Sequence, residues 1–275
     1  MTVLELLERT TKYFADHGVA SPRLTIELML ADILKKTRMQ LYLEFDQAVP
    51  EEAMDRLRPL VKRRAEGEPL EYVLGATTFA GHRIAVTADV LIPRPETEIL
   101  LEEAIKRIDP AGAPVLDVGT GSGILALALA KKFPELEIFA VDISTAALAV
   151  AEKNAEGAGK IRFLESDLME NPALPERFQM IVANLPYIPT GQIDTLQREV
   201  RHEPRRALDG GADGLDLVRK LIVQAAPRSP RLLLELGDGQ AQETKTLCLR
   251  AGFALIEILP DFTQRERILV AEHQK

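Results

Sequence analysis

Residues 114–123, Pro114-Val115-Leu116-Asp117-Val118-Gly119-Thr120-Gly121-Ser122-Gly123, decide the fold of this chain. The first half is a short apolar run that predicts a buried strand, and the second half is a glycine-rich turn. The apolar segment from Ile124 to Lys132 then predicts a helix. Glycines let a ligand approach the backbone at a helix N-terminus, so this strand, turn and helix predict a nucleotide-type site.

The next predicted strand, Glu137 to Asp142, ends on an acid 19 residues after Gly123. An acid at the tip of a second strand suits hydrogen bonds to ribose hydroxyls. Asp117 is predicted to stand at the mouth of the same crevice, where its charge would repel a pyrophosphate and favour a ligand with an ammonium group. With the Gly-x-Gly-x-Gly spacing, this favours S-adenosylmethionine over NAD. The alternative is that Asp117 only satisfies loop amides.

A third strand, Ile161 to Leu164, is followed by Asp167 and Leu168. In this topology that edge of the sheet borders an adenine. Asp167 is therefore predicted to accept a hydrogen bond from the exocyclic amine, and Leu168 to pack on the ring. A solvated loop acid or a helix cap is the alternative for Asp167.

The four residues Asn184-Leu185-Pro186-Tyr187 follow a further apolar run, Met180-Ile181-Val182-Ala183. Proline ends that predicted strand, and open α/β sheets hold their active-site crevice at this strand end. The tetrapeptide resembles the Asn-Pro-Pro-Tyr motif of methyltransferases that modify planar, amide-like nitrogens. An ordinary strand-terminating turn is the alternative interpretation.

Composition and charge narrow the class of protein. The 275 residues carry a net charge of −8, which argues against a broad electrostatic grip on nucleic acid. Cys248 is the one cysteine, so no internal disulfide is expected, which is compatible with a cytoplasmic location. The first residues do not resemble a signal peptide, and no apolar run has the length of a membrane span. The four histidines lack metal-ligand spacing, so we predict no metal.

Three segments are predicted. Residues 1–75 carry apolar residues at helical spacing and indicate a small helical bundle. Residues 76–92 alternate loosely and indicate a connector with a possible β-hairpin, and residues 93–275 hold the predicted catalytic domain. The basic run Lys62-Arg63-Arg64 is interpreted as a solvated helix face or a contact patch for a macromolecular substrate. The stretch Leu91 to Glu98 is a stiff linker or lines the site from above.

Taken together, the chain resembles the release factor glutamine N5-methyltransferases, the HemK family of class I methyltransferases. The resemblance covers nearly the whole chain and is carried by residues 91–98, 117–123, 142, 184–187, 203–208 and 210–216. It implies a Rossmann-like α/β domain with a mostly parallel seven-stranded sheet, preceded by the helical bundle and the hairpin. The chain departs from the family at Leu185, where proline is usual; the element uses this residue's backbone carbonyl, which leucine also supplies.

The resemblance implies methyl transfer from S-adenosylmethionine to the glutamine of the Gly-Gly-Gln motif in bacterial peptide chain release factors. The N-terminal domain would help to dock the factor, and we expect a monomer. Rival hypotheses are a nucleic-acid exocyclic-amine N-methyltransferase and a non-catalytic S-adenosylmethionine-binding protein. The expected site comprises catalytic Asn184, Leu185, Pro186 and Tyr187, which would also bind substrate together with Arg94 and Glu98, and cofactor-binding Asp117, Gly119, Thr120, Gly121, Ser122, Gly123, Asp142, Asp167, Leu168 and Asn184.

Overall fold

The computed structural model describes residues 1–274, which divide into two units. The first unit is Met1–Ala76 with Gln197–His202. The second is Thr77–Leu196 with the chain from Glu203 onward. No pattern in the sequence predicts that a short segment after residue 196 groups with the first unit. Among residues 1–274, no helix is both long and apolar enough to cross a membrane.

The first unit is helical, as expected. Thr2 and Glu5 form a capping box at the start of the first helix, and Pro22 occupies the first turn of the second helix. Apolar side chains from these helices, among them Phe14 and Met29, form one buried core. The helices are α1 (Val3–Asp16), α2 (Pro22–Leu34), α3 (Arg38–Leu43), α4 (Glu51–Ala65) and α5 (Leu70–Leu74).

The basic run at the end of α4 is only partly a solvated helix face. Arg64 is buried, and its guanidinium donates to Glu199 Oε1 and to the Glu68 carbonyl, each at 3.0 Å. Arg63 pairs with the Glu68 carboxylate at 2.5 Å. Only Lys62 keeps a largely exposed side chain. Buried arginine with charged and carbonyl partners stabilises a fixed geometry, so Arg64 is a structural residue of this unit.

The second unit begins with the expected hairpin and continues as alternating helices and strands. Short 3₁₀ turns occupy Thr190–Thr195, Val200–His202 and Arg205–Ala207, of which the second belongs to the first unit. The hairpin strands are β1 (Ala76–Phe79) and β2 (His82–Ala85). The remaining elements are α6 (Glu96–Arg107), β3 (Val115–Val118), α7 (Ile124–Lys132), β4 (Glu137–Asp142), α8 (Thr145–Asn154), β5 (Lys160–Glu165), β6 (Met180–Ala183), α9 (Asp216–Ala225), β7 (Arg231–Glu235), α10 (Ala241–Arg250), β8 (Leu255–Pro260) and β9 (Glu266–Glu272).

These strands form one seven-stranded sheet in the order β5-β4-β3-β6-β7-β9-β8. The five strands from β5 to β7 run parallel, and β9 is antiparallel to both β7 and β8. The predicted α/β class and the mostly parallel sheet are therefore confirmed. Every residue of β3 and β6 is buried. For this reason neither strand alternates between apolar and polar residues: β6 is a continuous apolar run, and Asp117 is the one polar residue of β3.

The turn between β3 and α7 depends on glycine at one position in particular. Gly123 has a φ of +78°, a conformation that side chains with a Cβ rarely adopt. A Cβ built there would lie 2.8 Å from Ala151 Cβ on α8. Glycine at this position therefore permits both the turn into α7 and the close approach of α8, and both elements flank the site.

Candidate active site

The parallel strands bring the predicted site residues to one edge of the sheet. Val118 pairs with Val141 of β4 on one side and with Ala183 of β6 on the other. The glycine-rich turn, Asp142 and Asn184 therefore leave the sheet side by side, although they lie far apart in the sequence. This is the carboxyl edge at which open α/β sheets bind their ligands.

A cavity of about 230 Å³ opens at this edge. It is mostly apolar in character, with a few polar groups converging on it, as is usual for small-molecule sites. Five of the predicted site residues lie outside its lining: Arg94, Glu98, Asp117, Gly123 and Tyr187. The predicted residues that line it are Gly119, Thr120, Gly121, Ser122, Asp142, Asp167, Leu168, Asn184, Leu185 and Pro186. Residues that the sequence did not single out also contribute, among them Asp89, Val90, Thr97, Ile143, Ser144 and Arg206.

Asp142 ends β4 and is tied to the backbone on both sides. Its Oδ2 accepts from the amide of Gly121 and its Oδ1 from the amide of Ser144, each at 2.9 Å. These bonds fix the carboxylate at the cavity wall beside the glycine-rich turn. An acid held in this way can also accept hydrogen bonds from ribose hydroxyls, so its surroundings suit the predicted role.

Asp117 lies deeper than the sequence suggested. The side chain is 1% exposed, below the turn rather than at the mouth of the crevice. Its Oδ2 accepts from Thr120 Oγ1 at 2.6 Å and from the amide of Ala126 at 3.3 Å. Burial raises the pKa of Asp117 to about 7, and the neighbouring charge of Asp142 acts in the same direction.

The other oxygen of Asp117 supplies a test of the expected cofactor. Oδ1 is buried and has no hydrogen-bond partner among residues 1–274. A buried acceptor without a partner is costly, and a cationic donor would relieve that cost. The residues present therefore fit a ligand that combines an ammonium group with a ribose, as S-adenosylmethionine does.

Leu168 and Asp167 both line the cavity. Leu168 is buried and has a φ of +50°, in the left-handed region that few residues other than glycine adopt. Such local strain persists only where the surroundings enforce it, and it often marks a ligand site. The strained turn holds an apolar side chain against the cavity, which suits packing on a flat ring.

The tetrapeptide follows β6 and turns away from the sheet. Asn184 Nδ2 donates to Thr97 Oγ1 at 3.1 Å, and Leu185 is buried. The Tyr187 ring lies outside the cavity lining. Burial raises the pKa of its hydroxyl to about 12, and the nearby Glu235 carboxylate adds to this shift. Tyr187 therefore keeps its proton at neutral pH and is not a candidate base.

Arg94 and Glu98, predicted to bind substrate, have partners within their own unit. Arg94 pairs with Glu203 at 2.5 Å, and the other oxygen of Glu203 accepts from the amide of Ile92. Glu98 accepts from the amide of Ala80 at 2.8 Å. Both side chains thus fasten the segment that leads into α6, and their contact with substrate stays a prediction.

Two residues next to Asn184 were not predicted from the sequence as part of the site. Thr97 lies inside the stretch of residues 91–98, and it lines the cavity from the first turn of α6. Glu235 ends the apolar strand β7 and is buried. An acid at the carboxyl end of a buried strand is an unusual residue choice, and that signal was available in the sequence. No group of three metal-ligating side chains occurs in the described part of the chain.

Comparisons with known proteins agree with this geometry. The PrmC N-terminal domain family matches residues 5–75, and a methyltransferase domain family matches residues 115–203. A release factor glutamine methyltransferase of Geobacter sulfurreducens is 46% identical over 258 residues, which span 92% of this chain and 90% of that protein. Another from Rhodopirellula baltica is 40% identical over an alignment of 281 positions, which covers 98% of this chain and 95% of that protein. The chain belongs to the release factor glutamine methyltransferase family.

Membership of this family makes the protein an S-adenosylmethionine-dependent methyltransferase. A solved methyltransferase structure from Pyrococcus furiosus supports the fold alone. It is 16% identical, with a TM-score of 0.55, and the alignment covers 82% of this chain and all of that one. The resemblance stated from the sequence motifs is therefore confirmed at the level of the family.

Proposed function

We propose that the protein transfers a methyl group from S-adenosylmethionine to the side-chain amide nitrogen (N5) of the glutamine in the Gly-Gly-Gln motif of bacterial release factors. One observation carries the proposal: Asn184 and the glycine-rich turn line the same cavity. An amide-recognising side chain therefore stands beside the place for the methyl donor. The names of the relatives, which specify release factor glutamine, support the choice of substrate.

The substrate amide is a poor nucleophile because its lone pair is delocalised. Asn184 Oδ1 and the Leu185 carbonyl are two acceptors for its NH2 group. Together they would orient the nitrogen toward the methyl group and favour positive charge on it during attack. Alignment of two reacting groups can supply roughly 7–11 kcal/mol of the barrier, so a strong base is not required for most of the rate.

The remaining cofactor residues bind and orient. Asp142 would hold the ribose, Asp167 and Leu168 the adenine, and Asp117 the ammonium group through its partnerless oxygen. When bound, S-adenosylmethionine supplies an electrophilic methyl group on a sulfonium sulfur. Asn184 and the Leu185 carbonyl would hold the substrate nitrogen in line with that methyl group, and the nitrogen would lose one proton to water when it takes up the methyl.

Several finer assignments belong to the same proposal. Pro186 would stiffen the tetrapeptide, and Tyr187 would pack against the target side chain. Substrate contact by Arg94 and Glu98, docking of the release factor by residues 1–75, a cytoplasmic location and a monomeric state all remain predictions.

The proposal is tested with a release factor purified without its methyl group. Incubation with the protein and label-carrying S-adenosylmethionine should transfer label to that factor and not to a matched factor in which the Gly-Gly-Gln glutamine is glutamate. Nucleic acids offered in parallel should stay unlabelled. Label in nucleic acid alone would favour the rival hypothesis of a nucleic-acid N-methyltransferase. No label in either substrate, with cofactor bound, would favour the hypothesis of a non-catalytic S-adenosylmethionine-binding protein.

A further inference from the structure

A line of three side chains, of which Glu235 and Thr97 are buried, runs from β7 to the tetrapeptide. Thr97 Oγ1 donates to Glu235 Oε2 at 2.7 Å, and Asn184 Nδ2 donates to Thr97 Oγ1 at 3.1 Å. Glu235 is 1% exposed and Thr97 is 3% exposed. The three residues come from β7, α6 and the end of β6, so three separate elements converge on one amide group.

The chemistry of the three groups determines which one donates and which one accepts in each hydrogen bond of this line. An ionised carboxylate can only accept hydrogen bonds, so the single hydroxyl proton of Thr97 must point to Glu235. The Thr97 oxygen is then left to accept, and only the nitrogen of the Asn184 amide can donate to it. The amide oxygen must therefore face away from Thr97. The two ends of an asparagine amide are assigned from such networks, and here the network leaves one solution.

We propose that Glu235 and Thr97 are positioning residues that hold the Asn184 amide with its oxygen free to accept from the substrate NH2 group. The inference rests on the proposed function, because it assigns a purpose to the orientation of Asn184. A reversed amide would face the substrate with its own NH2 group. Two donors would then oppose each other, and the alignment of the nucleophile would be lost.

The surroundings of Glu235 predict that the orientation of the Asn184 amide depends on pH. Burial raises the pKa of Glu235 to about 7. The Thr97 hydroxyl on α6, Arg267 on β9 and the side chain of Asn184 itself oppose that shift, and Glu96 on α6 adds to it. The Tyr187 hydroxyl also faces the carboxylate and stays protonated. Once protonated, Glu235 can itself donate to Thr97, which frees the Thr97 hydroxyl to donate to the Asn184 oxygen. Turnover should fall as the pH drops through about 7.

The kinetic test compares three variants at saturating release factor and cofactor. Thr97→Val keeps the shape of the side chain and removes the hydroxyl; kcat should fall about 10- to 100-fold, with the KM for cofactor within about twofold of wild type. Thr97→Ser should restore most of the loss. Thr25→Val, at another buried helical threonine, should leave kcat unchanged. A wild-type kcat in Thr97→Val, or no rescue by serine, overturns the proposal.

The pH profile separates positioning from a general loss of structure. In Glu235→Gln the decline of kcat below about pH 7 should disappear, because the titrating group is gone. Saturating cofactor is essential, since Asp117 has a pKa near the same value and would change cofactor affinity. An acid decline that persists unchanged in Glu235→Gln overturns the proposed role of this residue.

A second measurement needs no substrate and so remains valid if the proposed function fails. In protein with ¹⁵N-labelled asparagine, the Asn184 side-chain NH2 protons should exchange slowly with water, and about tenfold or more faster in Thr97→Val. Equal exchange rates in the two proteins would overturn the hydrogen-bonded orientation. Wild-type protein that shows the slow exchange yet methylates no release factor would overturn the proposed function alone.

Discussion

The carbonyl oxygen of Tyr187 accepts a hydrogen bond from Gln240 Nε2 at 2.9 Å. Gln240 is the residue that precedes α10, and its Oε1 accepts from the amide of Gly237 at 2.8 Å. The last residue of the tetrapeptide is thus tied to the loop that follows β7. The position of Asn184 and Leu185 depends on this support as well as on their own contacts.

The addition of a single carbon at Gly214 would disturb the hydrogen bond between Gln240 and Tyr187. It has a φ of +82°, and a Cβ there would collide with the Tyr187 carbonyl and lie 2.5 Å from Gln240 Nε2. We expect Gly214→Ala to displace the tetrapeptide and lower kcat about tenfold or more. Gly157→Ala is the matched control, with a φ of +74° and nothing within 4 Å. It should lower stability by about 1 kcal/mol and leave kcat unchanged. Equal kcat values in the two variants would argue against the support.

Asn184→Ala tests the acceptor assigned to catalysis. Removal of one group that stabilises charge in a transition state commonly costs a factor of about 100 to 1,000 in rate, and we expect a loss in this range. Binding of S-adenosylhomocysteine, measured by titration calorimetry, should stay within a few-fold of wild type, because other residues hold the cofactor. Near-normal turnover in this variant would remove Asn184 from the mechanism.

Asp142→Asn tests the ribose contact. The loss of a charged acceptor should weaken cofactor binding about 10- to 100-fold, with little change in kcat at saturation. A cofactor analogue without ribose hydroxyls provides the matched comparison. Wild-type protein should bind this analogue more weakly than it binds the natural cofactor. The Asp142→Asn variant should bind the analogue and the natural cofactor about equally well. If the variant discriminates as strongly as wild type, the hydroxyls have another partner.

Asp117→Asn should stabilise the protein while weakening cofactor binding. Because burial raises the pKa of this carboxyl from 3.8 to about 7, the unfolded chain loses its proton first as pH rises. The free energy of unfolding of wild type therefore falls between about pH 4 and 7 and stays low above that range. The asparagine of the variant does not ionise, so its free energy of unfolding does not fall in this way.

Without cofactor, the free energy of unfolding of Asp117→Asn should exceed that of wild type by on the order of 1–4 kcal/mol at pH 8. At pH 4 the difference should be small. Thermal unfolding at the two pH values measures it, and calorimetry should show weaker binding of S-adenosylhomocysteine. A variant no more stable than wild type at pH 8, with unchanged affinity, would contradict both the buried charge and its ammonium contact.

Local patterns predicted the elements that carry the site. The apolar run 115–118, the glycine-rich turn and the acid at position 142 specify a strand, a turn and a second strand end through nearest-neighbour chemistry alone. Parallel pairing then brings their ends to one edge. For this reason the residues predicted to bind the cofactor, and the tetrapeptide, could be named from the sequence, and most of them line one cavity.

What the sequence did not predict depends on contacts between distant segments. Thr97 and Glu235 are separated by 138 positions, and no local periodicity pairs them. The ion pair between Arg64 and Glu199 spans 135 positions and removes Arg64 from the solvated face expected of it. The depth of Asp117 likewise follows from the way α7 covers the end of β3. Such side-chain pairings arise from tertiary packing, which periodicity does not encode.

Tandem mass spectrometry of an unmodified release factor, after incubation with this protein and S-adenosylmethionine, tests the central claim most directly. The account predicts one added methyl group on the glutamine of the Gly-Gly-Gln motif, present with wild-type protein and nearly absent with Asn184→Ala. An unmodified glutamine, under conditions in which cofactor binding has been verified by calorimetry, would contradict it.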